Sequence, residues 1–429
     1  MKNKSVSVKL EKVWNSAGKT ILASLISILI GIVFGGVLLF IVSLLSDNIS
    51  LKTAWDGFRI VLAGIFNKGR DYDAGGVLTF GFNANLFGDM LFRATPLVMT
   101  GLSVALAYKT GLFNIGAPGQ YLMGTMAAIV VGLSIDTSVV PAWIVWILAF
   151  TAAAVAGALW GCIPGFFKAF LNVNEVITSI MTNWIAANLV TIIFDNSKFR
   201  NLVDYGKTGY TLKLSTNGVK SPTIGFDKLF NGSNANIGIV IAIVIAIIIY
   251  IMMNKTTFGY ELKACGSNKF AARYAGMSEK RNIVISMAIA GALSGIGAAL
   301  YYLQGETEFF WNTSMSLPSE GFNGIPVALL AICNPIGTVF AGLFMAYLTV
   351  SGSQLSNLTP YNEYIASIIV AVIVYLSAFS LFFKGLFERR KAKKASAREP
   401  DAGSDTDDVS NAPQPMSEIT DEKAKEEEE

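Results

Sequence analysis

The chain has 429 residues, 53% hydrophobic and only 15% charged, where a soluble domain carries about 25% charged residues. Net charge is +3 and there is no histidine, which removes the commonest general base, transition-metal ligand and proton shuttle together. Cys162, Cys265 and Cys333 show no metal-like spacing and do not indicate a disulfide scaffold.

In chain order, Lys2, Lys4, Lys9, Lys12 and Lys19 precede an apolar run from Ile21 to Leu45. The run is too long for a signal-peptide core, lacks a small-residue cleavage site, and is long enough to cross a hydrocarbon layer of ~30 Å. Residues 1–20 therefore read as a cytoplasmic N-terminal segment, and 21–385 as a transmembrane domain. Further apolar segments fall near 87–108, 121–135, 140–164, 175–195, 237–254, 282–303, 321–333, 336–352 and 363–384. Segment 321–333 is short and Pro335-Ile336-Gly337 breaks it from the next, so it is either a half-helix or one arm of a tight pair. Helices satisfy the backbone within each segment, and the runs are too uniformly apolar for outer-membrane strands. The expected fold class is an all-α polytopic membrane protein with about ten transmembrane segments, some broken or short, and both termini cytoplasmic.

Lys and Arg set that orientation. With a cytoplasmic N-terminus, 22 of them fall inside and 11 outside, including the cluster Lys384, Arg389, Arg390, Lys391, Lys393 and Lys394 after the last segment. The extracellular loop 196–236 conflicts, since it carries Lys198, Arg200, Lys207, Lys213, Lys220 and Lys228. In the outside stretch 47–86, Leu51 to Phe66 forms an amphipathic patch suited to a membrane surface. Residues 386–429 read as a disordered cytoplasmic tail, because from Ala395 onward almost no large apolar side chain is available to form a core.

Gly18-Lys19-Thr20 resembles the end of a phosphate loop, but Val13 stands where that loop needs glycine and no strand precedes it. The chain is thus not expected to be an enzyme. Carboxylates are nearly absent from the deep interiors of the segments. Asp89 and Arg93, four apart near an outer end, read as a structural ion pair. Glu175 suits the dipole of the helix it begins.

Three polar breaks stand out. Gly111-Leu112-Phe113-Asn114-Ile115-Gly116-Ala117-Pro118-Gly119-Gln120 cannot form ordinary helix; it is either a cytoplasmic turn or a broken-helix element beside a polar path. In the cytoplasmic region 255–281, Ser267 or Asn268 suits an N-cap and Gly276 a C-terminal cap, leaving a two-turn helix with Phe270 and Tyr274 on one face. Those rings suit either a docking partner or the headgroup layer. In Gly321-Phe322-Asn323-Gly324-Ile325-Pro326, glycine and proline again interrupt an apolar run.

At these breaks the chain resembles the permeases of the branched-chain amino acid, ribose and nucleoside importers driven by ATP-binding cassettes, over roughly residues 85–385. The shared features are the Gly111–Gln120 turn, Asn174-Glu175-Val176-Ile177, Gly259 to Gly276, and Gly321 to Leu330 before Asn334-Pro335-Ile336-Gly337. Pro118 stands where the family usually carries glutamate. Ala94-Thr95-Pro96-Leu97 with the Phe113–Gln120 turn is most similar to purine nucleoside permeases, with ribose and other simple sugars close competitors. The resemblance implies a permease domain in the cell membrane, multi-pass, driven by a cytoplasmic ATPase that binds the ATP and Mg. It also implies a second permease subunit and an extracytoplasmic substrate-binding lipoprotein, with no cofactor or metal on this chain and no nucleic acid. ATPase coupling would fall to Gly266, Asn268, Phe270, Ala271, Arg273, Tyr274 and Gly276. A neutral solute in the bilayer needs hydrogen-bond partners and rings but no counter-charge, which singles out Phe113, Asn114, Gln120, Thr178, Asn183, Trp184, Phe322 and Asn323. The same asparagines also suit bonding between helices. An ion-coupled carrier and a non-transporting membrane scaffold are the other readings.

Overall fold

The protein is described here by a computed structural model, which covers residues 29–377 apart from 47, 72, 74, 196, 203 and 312–316. The N-terminal segment, the start of the first apolar run, the basic flank and the tail lie outside the described residues. Helix α1 (Leu29–Leu45) leads to α2 (Leu51–Ala63), a hairpin of β1 (Asn67–Asp71) and β2 (Val77–Phe80), and the long α3 (Ala84–Lys109). Then come α4 (Ala117–Ser134), α5 (Ala142–Leu171), α6 (Glu175–Asp195), the short α7 (Phe226–Leu229), α8 (Gly238–Lys255), α9 (Thr257–Ser267) and α10 (Lys269–Tyr274). Helices α11 (Glu279–Tyr302), α12 (Ser319–Leu330), α13 (Pro335–Leu358) and α14 (Glu363–Ser377) complete the chain.

The described part of each of the ten apolar segments is helical. Among the described residues six helices, α3, α5, α6, α8, α11 and α13, are long and apolar enough to cross a membrane, where the sequence suggested about ten crossings. Helix α12 has 12 residues, about 18 Å at 1.5 Å per residue, and cannot cross alone. It is a half-helix. Ile332 and Cys333 both take left-handed φ after it, and Asn334 then caps α13 by accepting from Ile336 N (3.0 Å) and Gly337 N (3.2 Å).

Helix α3 is the hub. It is buried on every side from Ala94 to Ala107 and packs against α11, α12 and α13, as expected of a helix that is apolar all round. The tightest crossing joins α5 to α11, where Gly157 and Gly161 meet Gly291 and Gly295 backbone to backbone. Without a hydrophobic drive between helices in lipid, small residues that allow such close approach supply the packing energy. By contrast, Val244, Ile247, Ile248 and Ile251 of α8 and Ile177, Met181 and Ile185 of α6 point outward and exposed, an apolar surface suited to lipid tails. Helix α2 lays Ala54, Gly57, Ile60 and Val61 on the protein, mainly α13, and leaves Leu51, Trp55 and Leu62 outward.

The bundle has two distinct ends. At one, the loop 196–236 caps the bundle with 303–311: Thr211 N donates to Phe309 O, Ser221 Oγ to Leu303 O, and Leu214 and Val219 are fully buried. Here Lys207 pairs with Glu308 at 2.6 Å and Lys213 with Glu306 at 3.1 Å. Its hydrogen bond from Lys213 holds the Glu306 carboxyl below its usual range, so this tie persists above the ordinary carboxylate pKa and is lost as pH falls through the lowered one. Asp89 does not pair with Arg93 among the described residues. Its carboxylate accepts instead from the backbone N (3.2 Å) and Nδ2 (3.1 Å) of Asn234, because the cap returns over the start of α3 and offers two donors together. At the other end lie the α3–α4 turn, α9 and α10, and the α5–α6 turn, where Lys168 bridges Glu175 at 2.9 Å.

Candidate functional site

The α3–α4 turn begins at Gly111, whose φ of 74° is open to glycine without strain. Asn114 then organises it. Its Nδ2 donates to Ser103 Oγ (2.9 Å) and Gln120 Oε1 (2.8 Å), and its Oδ1 accepts from Gly116 N (3.1 Å) and Gln120 Nε2 (3.0 Å). Ser294 Oγ of α11 extends the chain to Ser103 at 3.0 Å. From α6, Asn183 accepts from Gly119 N (2.9 Å) and donates to Ile115 O (3.0 Å). Pro118 falls within the first turn of α4, where its missing N–H costs nothing. The structure thus brings Asn114, Gln120 and Asn183 together, and all three are fully buried. Their amides are bonded to protein groups, so they join α3, α4 and α6. In the same place the hydroxyl of Ser179 is buried with no hydrogen-bond partner among the described residues.

The remaining pathway candidates contribute no side chain to the hydrogen bonds of this cluster. Phe113 is half-buried in the turn. Thr178 bonds back to Asn174 O at 3.1 Å. Trp184 is 51% exposed on the outward face of α6 beside Met181 and Ile185. Phe322 is exposed and Asn323 half-buried on α12.

Sequence reasoning missed Glu320 and Tyr121. Thr100 Oγ1 donates to Glu320 O at 2.9 Å. Thr100 lies about 24 Å along α3, whose whole length is about 39 Å, so Glu320, half-buried in the first turn of α12, stands well inside the length of α3. Glu320 lies in a polar stretch before an apolar run, which looks like a surface position. The signal that points to depth is the shortness of 321–333, since a half-helix has one end inside. Tyr121 carries a fully buried hydroxyl without a partner among the described residues.

At the other functional surface, Asn268 ends α9 and caps α10, accepting from Phe270 N (3.1 Å) and Ala271 N (3.0 Å). Ala271 and Arg273 accept the closing backbone bonds, and Gly276 follows at φ 80°. This short helix presents Phe270, 65% exposed, and Tyr274, 94% exposed. A groove of about 360 Å³ beside it is lined by Thr110, Gly111, Lys168, Ser267, Phe270 and Glu279. Gly266 touches the backbone of Thr110 and Gly111 directly, three residues before Asn114. The exposed aromatic helix thus directly follows α9, whose Gly266 touches the turn that ties the bundle together.

Residues 86–378 match the family described as branched-chain amino acid transport system, permease component. The chain belongs to this permease family. The permease is 36% identical over 310 residues to the guanosine ABC transporter permease protein NupP of Bacillus subtilis (strain 168), covering 72% of this chain and 85% of the relative. It is 36% identical over 314 residues to the nucleoside ABC transporter permease protein NupB of Lactococcus lactis subsp. cremoris (strain MG1363), covering 73% and 85%. A glucose ABC transporter permease protein of Haloferax volcanii is 32% identical over 321 residues, covering 73% and 81%. This permease is an integral membrane transport subunit, not an enzyme, and ATP hydrolysis belongs to a separate subunit.

Proposed function

We propose that this permease imports a nucleoside by alternating access, within a complex of a cytoplasmic ATPase that holds the ATP and Mg, a second permease and an extracytoplasmic binding lipoprotein. The observation that carries the substrate is the 36% identity, over most of both chains, to permeases named for guanosine and for nucleosides. The glucose relative supports a simple sugar as the second reading. In this proposal Asn114, Gln120 and Asn183 frame the pathway, and Phe322 and Asn323 line it. Thr178, bonded to its own helix, and Trp184, on the outward face, sit apart from it. Uptake of labelled nucleosides, ribose and amino acids in cells with and without the gene tests this. Loss of ribose uptake with nucleoside uptake unchanged would leave the permease and defeat the nucleoside.

The ten apolar segments, 304–333 crossing as loop plus half-helix, are taken to place both termini in the cytoplasm, with 196–236 outside. Single cysteines at Ser197 and Ser404 are then expected to react with an impermeant maleimide from opposite faces of intact cells. Labelling of both from outside overturns the topology.

The ATPase is taken to grip α10. Truncating a ring buried at an interface commonly costs about 2 kcal/mol or more. Phe270→Ala with Tyr274→Ala is expected to abolish ATP-driven uptake at unchanged membrane levels. Normal transport by the double variant would assign the rings to the headgroup layer instead.

A further inference from the structure

A solute-recognition site needs hydrogen-bonding groups that the protein itself leaves unused. Three of the predicted amides, Asn114, Gln120 and Asn183, do not meet that condition, because they are bonded within the protein. Tyr121 does. Its side chain is 1% exposed and its hydroxyl has no partner among the described residues, a state that costs free energy unless water or a ligand visits. The first turn of α12 lies against it: Gly321 packs on the Cα of Pro118, which is one turn before Tyr121 on the same face of α4. Thr100 of α3 holds the Glu320 carbonyl and Gly321 packs on α4, so the start of α12 sits between these two helices, next to the turn that carries Tyr121. Among the described residues Glu320 forms no ion pair, and its one side-chain bond is to the adjacent Ser319 Oγ at 3.3 Å. Aromatic surface is at hand, with Tyr301 stacked on Phe92 at 5.1 Å and meeting Tyr302 edge-on. A carboxylate in the first turn also suits the helix dipole, but that role needs neither depth nor the unbonded tyrosine.

We propose that Glu320 and the Tyr121 hydroxyl form the solute-recognition site of this permease, reading a solute that offers two adjacent hydrogen-bond donors beside an apolar ring face. The inference rests on the nucleoside reading and deepens it. A carboxylate accepts two donors side by side. In a nucleoside these are either the ribose 2′,3′-diol or the N1–H and 2-amino edge of guanine.

The test measures uptake of labelled guanosine, inosine, 2′,3′-dideoxyguanosine and ribose by cells expressing wild-type, Glu320→Gln, Glu320→Asp or Tyr121→Phe permease at matched membrane levels. Tyr121→Phe removes a group with no protein partner, so a structural role leaves uptake unchanged or raised. Recognition lowers guanosine uptake about threefold to tenfold. Glu320→Gln is expected to lower it about tenfold to a hundredfold, with Glu320→Asp partly restored. If the wild type rejects the dideoxy analogue and Glu320→Gln handles it no worse, the diol is the partner. If the wild type rejects inosine in the same way, the guanine edge is. Wild-type rates for guanosine in both Glu320→Gln and Tyr121→Phe overturn the site. A wild type that carries ribose but no nucleoside overturns only the nucleoside reading, and Glu320→Gln is then scored on ribose. A wild type that carries none of the four overturns both.

Discussion

Gly266→Val is expected to disconnect the ATPase from the transport pathway, cutting uptake at least tenfold while the ATPase still co-purifies with the complex. A Cβ at Gly266 would stand 2.5 Å from the carbonyl carbon of Thr110 and 2.6 Å from Gly111 N. Ordinary contact begins near 3.4 Å, and valine adds two further methyl groups, so α9 and the α3–α4 turn must move apart. Overpacking of this kind costs about 1–3 kcal/mol, which a folded bundle can bear. The displaced contact matters more for its place than for its cost. On one side is α10, with its Asn268 cap and exposed rings intact; on the other is the turn whose Asn114 bonds reach Ser103, Gly116 and Gln120. Gly266→Ala is expected to give an intermediate loss. Co-purification and uptake from the same membranes check this, and wild-type uptake by Gly266→Val would sink the idea that force passes through this contact.

Gly291→Val is expected to prevent assembly rather than coupling. A Cβ there would run into the carbonyl oxygen of Gly157, with the Gly157 carbonyl carbon at 2.9 Å and Gly161 Cα at 3.1 Å. The neighbours on α5 are backbone, so no rotamer change relieves the clash. Separating two helices in lipid also forfeits dispersion contacts that no hydrophobic gain replaces. A loss near the top of the overpacking range, about 3 kcal/mol, is a large part of the ~5–15 kcal/mol that stabilises a protein. The variant should melt far below wild type in detergent and reach the membrane in reduced amount. Val244→Ala, on the outward face of α8, should change either measure little. An unshifted melting curve for Gly291→Val would mean that the α5–α11 crossing is not the close packing described.

What the sequence determined by itself was local. Length and apolarity decide that a run such as 237–254 is a helix, because in lipid its backbone has no other partner. Capping chemistry likewise brackets α10: the sequence offered Ser267 or Asn268 as the N-cap with Gly276 at the other end, and it is Asn268 that caps. Facing was not legible. Soluble helices betray their buried side by periodicity, but a helix between lipid and protein is apolar on both sides, so nothing in 175–195 shows that Trp184 turns outward and Asn183 inward. Partner choice was not legible either. Asp89 and Arg93 are spaced to pair along one helix, yet Asn234, 145 residues away, takes the carboxylate because the cap folds onto α3. Depth was the third missing quantity. Glu320 looks like a surface residue until Thr100 is seen to hold its carbonyl far down α3, since hydropathy measures how long a run is but not where a half-helix begins. Tertiary packing decided these three things, because each depends on contacts between segments distant in the chain, whose energies no local window contains.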